Sequence, residues 1–211
     1  KIRNNNYIML FSAFYKVNTD IKKNFGENLN LGSLFFATSK NGIDWSVNDK
    51  PILKGLIGYY GYGSPFVLQL GKSNYKLFFH KRTNLSFNIC CCDLYLEPLF
   101  MGDIEEGVFK QTKLYEKNAV YSPYVIFDEE NWHMYYAAWG GDPVKGRILY
   151  ASSSDGLLWI KHKSTVINPD NKFDMAHCSE PDLINFNNKW HLFYEGCDLN
   201  GNWRILSAIE E

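Results

Sequence analysis

The sequence predicts an all-β fold of repeated four-stranded antiparallel sheets, the β-propeller arrangement, and three observations carry that reading. The first is a repeat: GSPFVLQL, YSPYVIFD and SEPDLINF place Pro65, Pro123 and Pro181 at intervals of 58 residues. The second is that each proline-led segment runs through a short polar turn into a strongly aromatic strand, NYKLFFHK, NWHMYYAAW or NKWHLFYEG. The third is that no stretch carries a convincing helical period.

Taken in order, NYIMLFSAF and LGSLFFATS read as the second and third strands of a unit, so the chain starts inside a repeat. Ser39–Trp45 and Ser153–Trp159 share Ser, then Asn or Asp before Gly, and a closing Trp. Asn-Gly and Asp-Gly supply the positive φ angles of a tight hairpin, so a fourth strand is expected after each, ending in KPIL or STVIN. GRILYASS and NWRILSAI supply further third strands. The expected division is a partial blade over 1–54, whole blades over 55–118 and 119–170, and a partial blade over 171–211, all within one propeller domain.

Composition narrows the function classes. At 211 residues and a net charge of −1, the chain offers no broad basic surface for nucleic acid or an anionic membrane. Its apolar runs fall well short of the roughly 20 residues of a membrane span. Five cysteines without a C-x-x-C pair argue against a disulfide framework or structural zinc, which favours reduced thiols in the cytoplasm. The first residue, Lys1, leaves secretion open. No metal or cofactor is expected.

In an antiparallel blade, the entry of the inner strand and the loop between the second and third strands lie on one face, where a rigid scaffold presents a site. The repeat then separates architecture from chemistry. His133 and His191, and Trp45, Trp132, Trp159 and Trp190, recur at matching places and are expected to pack. Glu180 does not recur, because Ser64 and Ser122 stand at the equivalent positions. Its entry position aims it at an axial cavity, where burial would raise its pKa and suit it to general-acid work. Ligand-binding candidates on the same face are Tyr59, Tyr60 and Tyr62 of GYYGYG, Ser64, His80, Arg82, Ser122, Trp139, His177 and Glu195. Arg204 is included as a neighbour able to pair with Glu180. The loop from Tyr15 to Leu31 is expected to shape specificity.

The unit SPYVIFDEENWHMYYAAWGG with GRILYASSSDGLLW, and the acidic entry SEPDLI, resemble the five-bladed propellers of glycoside hydrolase families 32, 43, 62 and 68, most closely family 43-like proteins. The resemblance implies a five-bladed type, incomplete in this chain, acting on an oligosaccharide or polysaccharide. It implies Glu180 as the proton donor, with aspartates on other blades as base or nucleophile and as modulator. Ser64 and Ser122 carry no such carboxylate. Three readings fit this pattern: a glycosidase-like enzyme whose second carboxylate is not identified, a non-catalytic sugar-binding propeller module of a glycan-processing or glycan-biosynthesis protein, and a protein-interaction propeller.

Overall fold

The computed structural model describes residues 7–14, 32–56, 59–83, 86–141 and 145–209. The loop from Tyr15 to Leu31 lies outside them. Among the described residues the architecture is antiparallel β, with a single 3-10 turn at Leu114–Glu116. No helix there is long and apolar enough to cross a membrane.

Four sheets succeed one another along the chain. The first joins β1 (Tyr7–Phe14), β2 (Gly32–Ser39) and the short β3 (Ser46–Val47) in that order. The second runs β4 (Tyr60–Gln69), β5 (Tyr75–Thr83), β6 (Phe87–Leu96) and β7 (Leu99–Met101), with β8 (Glu105–Phe109) also paired to β6. The third is β9 (Ala119–Phe127), β10 (Trp132–Trp139), β11 (Arg147–Ser153) and β12 (Ile160–Ile167). The fourth is β13 (His177–Phe186), β14 (Lys189–Cys197) and β15 (Trp203–Ile209).

The chain divides into two compact units, Lys1–Ser86 with Cys90–Glu105, and Phe87–Ile89 with Glu106–Glu211. In the first, Leu34, Tyr62, Leu77, Phe79, Cys90, Cys92 and Leu94 form a buried core. Alternation along a strand explains how Cys90 and Cys92 share that core while Cys91 points to the opposite face. All five cysteines are buried thiols.

In the second unit the third and fourth sheets pack face to face through Ile148, Cys178, Leu183, Leu192 and Tyr194, with Tyr124, Ile126 and Tyr135 against them. Full burial of each Leu or Ile there contributes about 1.5–3 kcal/mol. The strand registers make Ile126, Tyr135 and Ile148 the counterparts of Ile184, Phe193 and Ile205 one sheet later. Those three are exposed on the far face of the fourth sheet, at 53%, 40% and 67%.

The recurring histidines and tryptophans have structural partners. His133 binds Tyr150 Oη at 2.5 Å and Asp128 at 2.8 Å. In both hairpins the Trp indole N–H donates to the glycine carbonyl at 3.2 Å, Trp45 to Gly42 and Trp159 to Gly156. Each glycine has positive φ, 78° and 73°, and its N–H donates to the first serine of the motif at 2.9 Å.

Candidate functional site

The prolines of the repeat sit in β4, β9 and β13, each an edge strand of its sheet, where a missing N–H is tolerated. The residue before each proline has left-handed backbone: φ is 46° at Ser64, 49° at Ser122 and 50° at Glu180. The register slips at the same place. Gly63 pairs with His80 and Phe66 with Phe78, so Ser64 and Pro65 together face Phe79. Ser122 and Pro123 likewise face Tyr136, and Glu180 and Pro181 face Tyr194. This is a β-bulge, which bends the strand and re-aims the side chain of the extra residue. A non-glycine residue held there costs about 1–3 kcal/mol, a strain typical of positions that serve a site.

The residues opposite the second and third bulges hold a repeated network. Tyr136 Oη donates to buried Glu116 at 2.9 Å, and Tyr194 Oη donates to buried Asp174 at 2.9 Å. Glu116 and Asp174 are themselves 58 residues apart, so the repeat extends to a buried carboxylate that anchors each sheet's second strand. Lys161 neutralises Glu116 at 2.6 Å, and the Asn171 side chain donates to Asp174 at 2.6 Å. Burial, then the neighbouring Asp174 charge, pushes the Cys178 thiol up to about 12, so it stays protonated.

At the third bulge the side chain is acidic and exposed, not buried as the sequence suggested. Ser122 Oγ donates to Glu180 Oε1 at 2.5 Å, joining the bulge residues of two successive sheets. Beside it, Tyr121 Oη and His177 Nε2 share a hydrogen bond at 2.8 Å. Burial, reinforced by the charges of Glu180 and Glu195, raises the Tyr121 pKa, and burial lowers that of His177. Both groups are therefore neutral near pH 7. Glu195 pairs in register with Ser179, the place that Ala137 takes opposite Tyr121 and His80 takes opposite Gly63.

His177 also lies 6.4 Å from the Trp139 ring and 5.6 Å from the Trp203 ring, centroid to centroid. The structure thus brings together Ser122, Trp139, His177, Glu180 and Glu195 in the second unit, with Tyr121 and Trp203 as members that the sequence reading missed. Trp203 begins a third strand, and only its closeness to His177 marks it.

Other candidates have different roles. Arg204 does not pair with Glu180: it bonds Asp198 at 3.0 Å and the Phe173 carbonyl at 3.2 Å, bracing the turn before β15. In the first unit Tyr62 is buried, edge-on to Tyr60 and Phe79, each at 5.6 Å, so it packs the core while Tyr59 is exposed. Lys81 lies over the Tyr60 ring at 5.0 Å. His80 is buried across from Gly63, and burial, then the Arg82 charge, lowers its pKa to about 3. Among the described residues, no group of three or more His, Cys, Asp or Glu side chains is arranged to hold a metal ion.

No family model and no curated protein matches the sequence. Solved structures do. A thermostable family-43 glycoside hydrolase matches at 15% identity and TM-score 0.72, over 99% of this chain and 72% of its own. An exo-1,5-α-L-arabinanase from a bovine ruminal metagenomic library matches at 12% identity and TM-score 0.73, over 100% of this chain and 72% of its own. A family-32 β-fructofuranosidase from Bombyx mori matches at 10% identity and TM-score 0.68, over 99% of this chain and 46% of its own. At such identities the likeness is one of fold, and the chain has the all-β, propeller-type fold of these glycoside hydrolases.

Proposed function

We propose that this protein is a carbohydrate-active, glycosidase-like propeller in which Glu180 protonates the leaving oxygen of a glycosidic bond. The observation that carries the reading is the bulge series. One backbone geometry, repeated in three sheets, presents serine twice and an exposed carboxyl once. The proposed five-bladed arrangement, of which this sequence holds four sheets, is supported by the far face of the fourth sheet. Ile184, Phe193 and Ile205 there match positions that another sheet covers one repeat earlier.

The test is turnover of arabinan, fructan and aryl glycosides by the wild type and by Glu180→Gln. Hydrolysis that falls about 10²–10⁴-fold in the variant supports a general acid. Absence of hydrolysis in the wild type, or an unchanged rate in the variant, overturns it. A second reading, a non-catalytic sugar-binding propeller, is favoured by Ser64 and Ser122, which leave two of the three bulges without a carboxylate. It predicts binding of oligosaccharide without turnover, and a modest change in affinity for Glu180→Gln.

A further inference from the structure

We propose that Asn200 is a site of spontaneous side-chain deamidation from which Asn41 is protected, and that its product remodels the turn leading into Trp203 and Arg204. The reaction is independent of the carbohydrate reading, since its only co-reactant is water.

The chain holds two Asn-Gly pairs, Asn41-Gly42 and Asn200-Gly201. A glycine after asparagine has no side chain to hinder attack of its peptide nitrogen on the asparagine amide. In that step the Gly201 nitrogen forms a bond to Asn200 Cγ, the bond from Cγ to Nδ2 breaks, and the peptide proton leaves with the side-chain nitrogen as ammonia. Water then opens the cyclic imide. One product is aspartate, and the other is isoaspartate, in which the main chain runs through Cβ and Cγ.

Exposure does not separate the two pairs, because all four residues are exposed. Nor does the backbone: the glycines have φ of 78° and 81°, and each N–H is bonded, Gly42 to Ser39 Oγ at 2.9 Å and Gly201 to the Asp198 carbonyl at 3.0 Å. The asparagine side chains differ. Asn41 Oδ1 accepts from Ser39 Oγ at 3.1 Å and from the N–H groups of Ile43 and Asp44, each at 2.9 Å. Its Nδ2 donates to Asp44 Oδ2 at 2.8 Å. Closing the imide makes Cγ tetrahedral and ejects Nδ2, and this clasp opposes both changes. Asn200 engages only its main-chain N–H, with Asp198 Oδ1 at 2.9 Å, and its side chain has no hydrogen-bond partner among the described residues. A Cβ on Gly201 would meet nothing within 4 Å, so the space about the attacking nitrogen is open.

The product falls where it changes its surroundings. Asp198 accepts from the N–H groups of Asn200 and Asn202 and from the Arg204 guanidinium at 3.0 Å. Isoaspartate adds a methylene to the main chain and a carboxylate to the turn, so the spacing that lets both N–H groups reach Asp198 is lost and a second anion competes for Arg204. Trp203, the residue before Arg204, has its ring 5.6 Å from that of His177.

The test is prolonged incubation of the full chain in mildly alkaline buffer, followed by peptide mapping and by labelling with an isoaspartyl methyltransferase. Conversion at Asn200 is expected at least about tenfold faster than at Asn41, since even one net hydrogen bond is worth up to about tenfold in a rate. In concentrated urea, where the clasp is gone, the two rates should converge. Asp44→Ala, which removes the acceptor of Asn41 Nδ2, should speed conversion at Asn41 and leave Asn200 unchanged. Tryptophan emission should drift on ageing in the wild type and stay constant in Asn200→Gln. An Asn200 that keeps its amide, equal rates in the folded chain, a preference that persists in urea, or an Asn41 indifferent to Asp44→Ala would each overturn the selective deamidation. Emission that drifts equally in Asn200→Gln would overturn the remodelling of the turn.

Discussion

Ser122 Oγ donates a hydrogen bond to Glu180 Oε1 at 2.5 Å, although the two residues are 58 apart in sequence and occupy the same bulge position in successive sheets. The side chain repeated at the second bulge is thereby made the partner of the one that departs at the third. A hydroxyl donated to a carboxylate stabilises the charged form. In Ser122→Ala that support is lost, so a Glu180 acting as proton donor keeps its proton to higher pH. The alkaline limb of the pH–rate profile is expected to move up. A limb that stays in place, or moves down, would show that the bond does not tune the reacting group.

Gly146 lies against His177 with no room for a side chain. Gly146→Ala places a Cβ in steric overlap with Cε1 and both ring nitrogens. The ring must move, which is expected to cost about 1–3 kcal/mol in urea unfolding. Unchanged stability would mean that the imidazole has another place to go.

The tyrosines opposite the second and third bulges each hold a buried carboxylate. Tyr136→Phe removes the donor to Glu116, and Tyr194→Phe the donor to Asp174. Tyr136→Phe is expected to destabilise by about 1–3 kcal/mol, because Glu116 Oε1 loses its hydrogen-bond donor, and Tyr194→Phe by less, because Asp174 Oδ2 keeps the Asn171 donor. The two carboxylates have separate partners, so the double variant should show nearly the sum of the two losses. Strong non-additivity would contradict the independence of the two networks.

His80 makes stability depend on pH in a definite direction. Burial, then Arg82, lowers its pKa from 6.5 to about 3, so between these values the unfolded chain binds the proton and the folded chain does not. Stability therefore falls as pH drops through this window. For this group the loss from pH 7 to pH 5 is on the order of 2 kcal/mol. His177, also lowered, acts in the same sense, so the informative quantity is the difference between wild type and His80→Gln. The variant should lose less stability over that interval. An equal loss would place the titrating group elsewhere.

Local signals were legible in the sequence. Gly42 and Gly156 take the expected positive φ, though in connections from Ser39 to Ser46 and from Ser153 to Ile160 that are longer than the tight turns expected, and the alternation of aromatic strands with polar turns gives the antiparallel pairs. The spacing of Pro65, Pro123 and Pro181 marked the first strand of three sheets, and Glu180 stood out as its one acidic entry. The same spacing between Glu116 and Asp174 was equally present, but without a fold nothing ties a loop carboxylate to a tyrosine 20 residues on.

The repeat and the strand order of the first, third and fourth sheets were thus settled by the residues alone, because each depends on positions close to one another along the chain, whereas the pairing of β8 with β6 in the second sheet was not. Folding in three dimensions set the rest. The bulge turned Ser64, Ser122 and Glu180 into left-handed backbone, stacking of the third sheet on the fourth joined Ser122 to Glu180, and packing made Tyr62 a core residue. Trp203 entered the site, and Arg204 left it for Asp198, for the same physical reason: which side chains meet across sheets is set by how the sheets stack. That stacking is a long-range property which no short stretch of sequence contains.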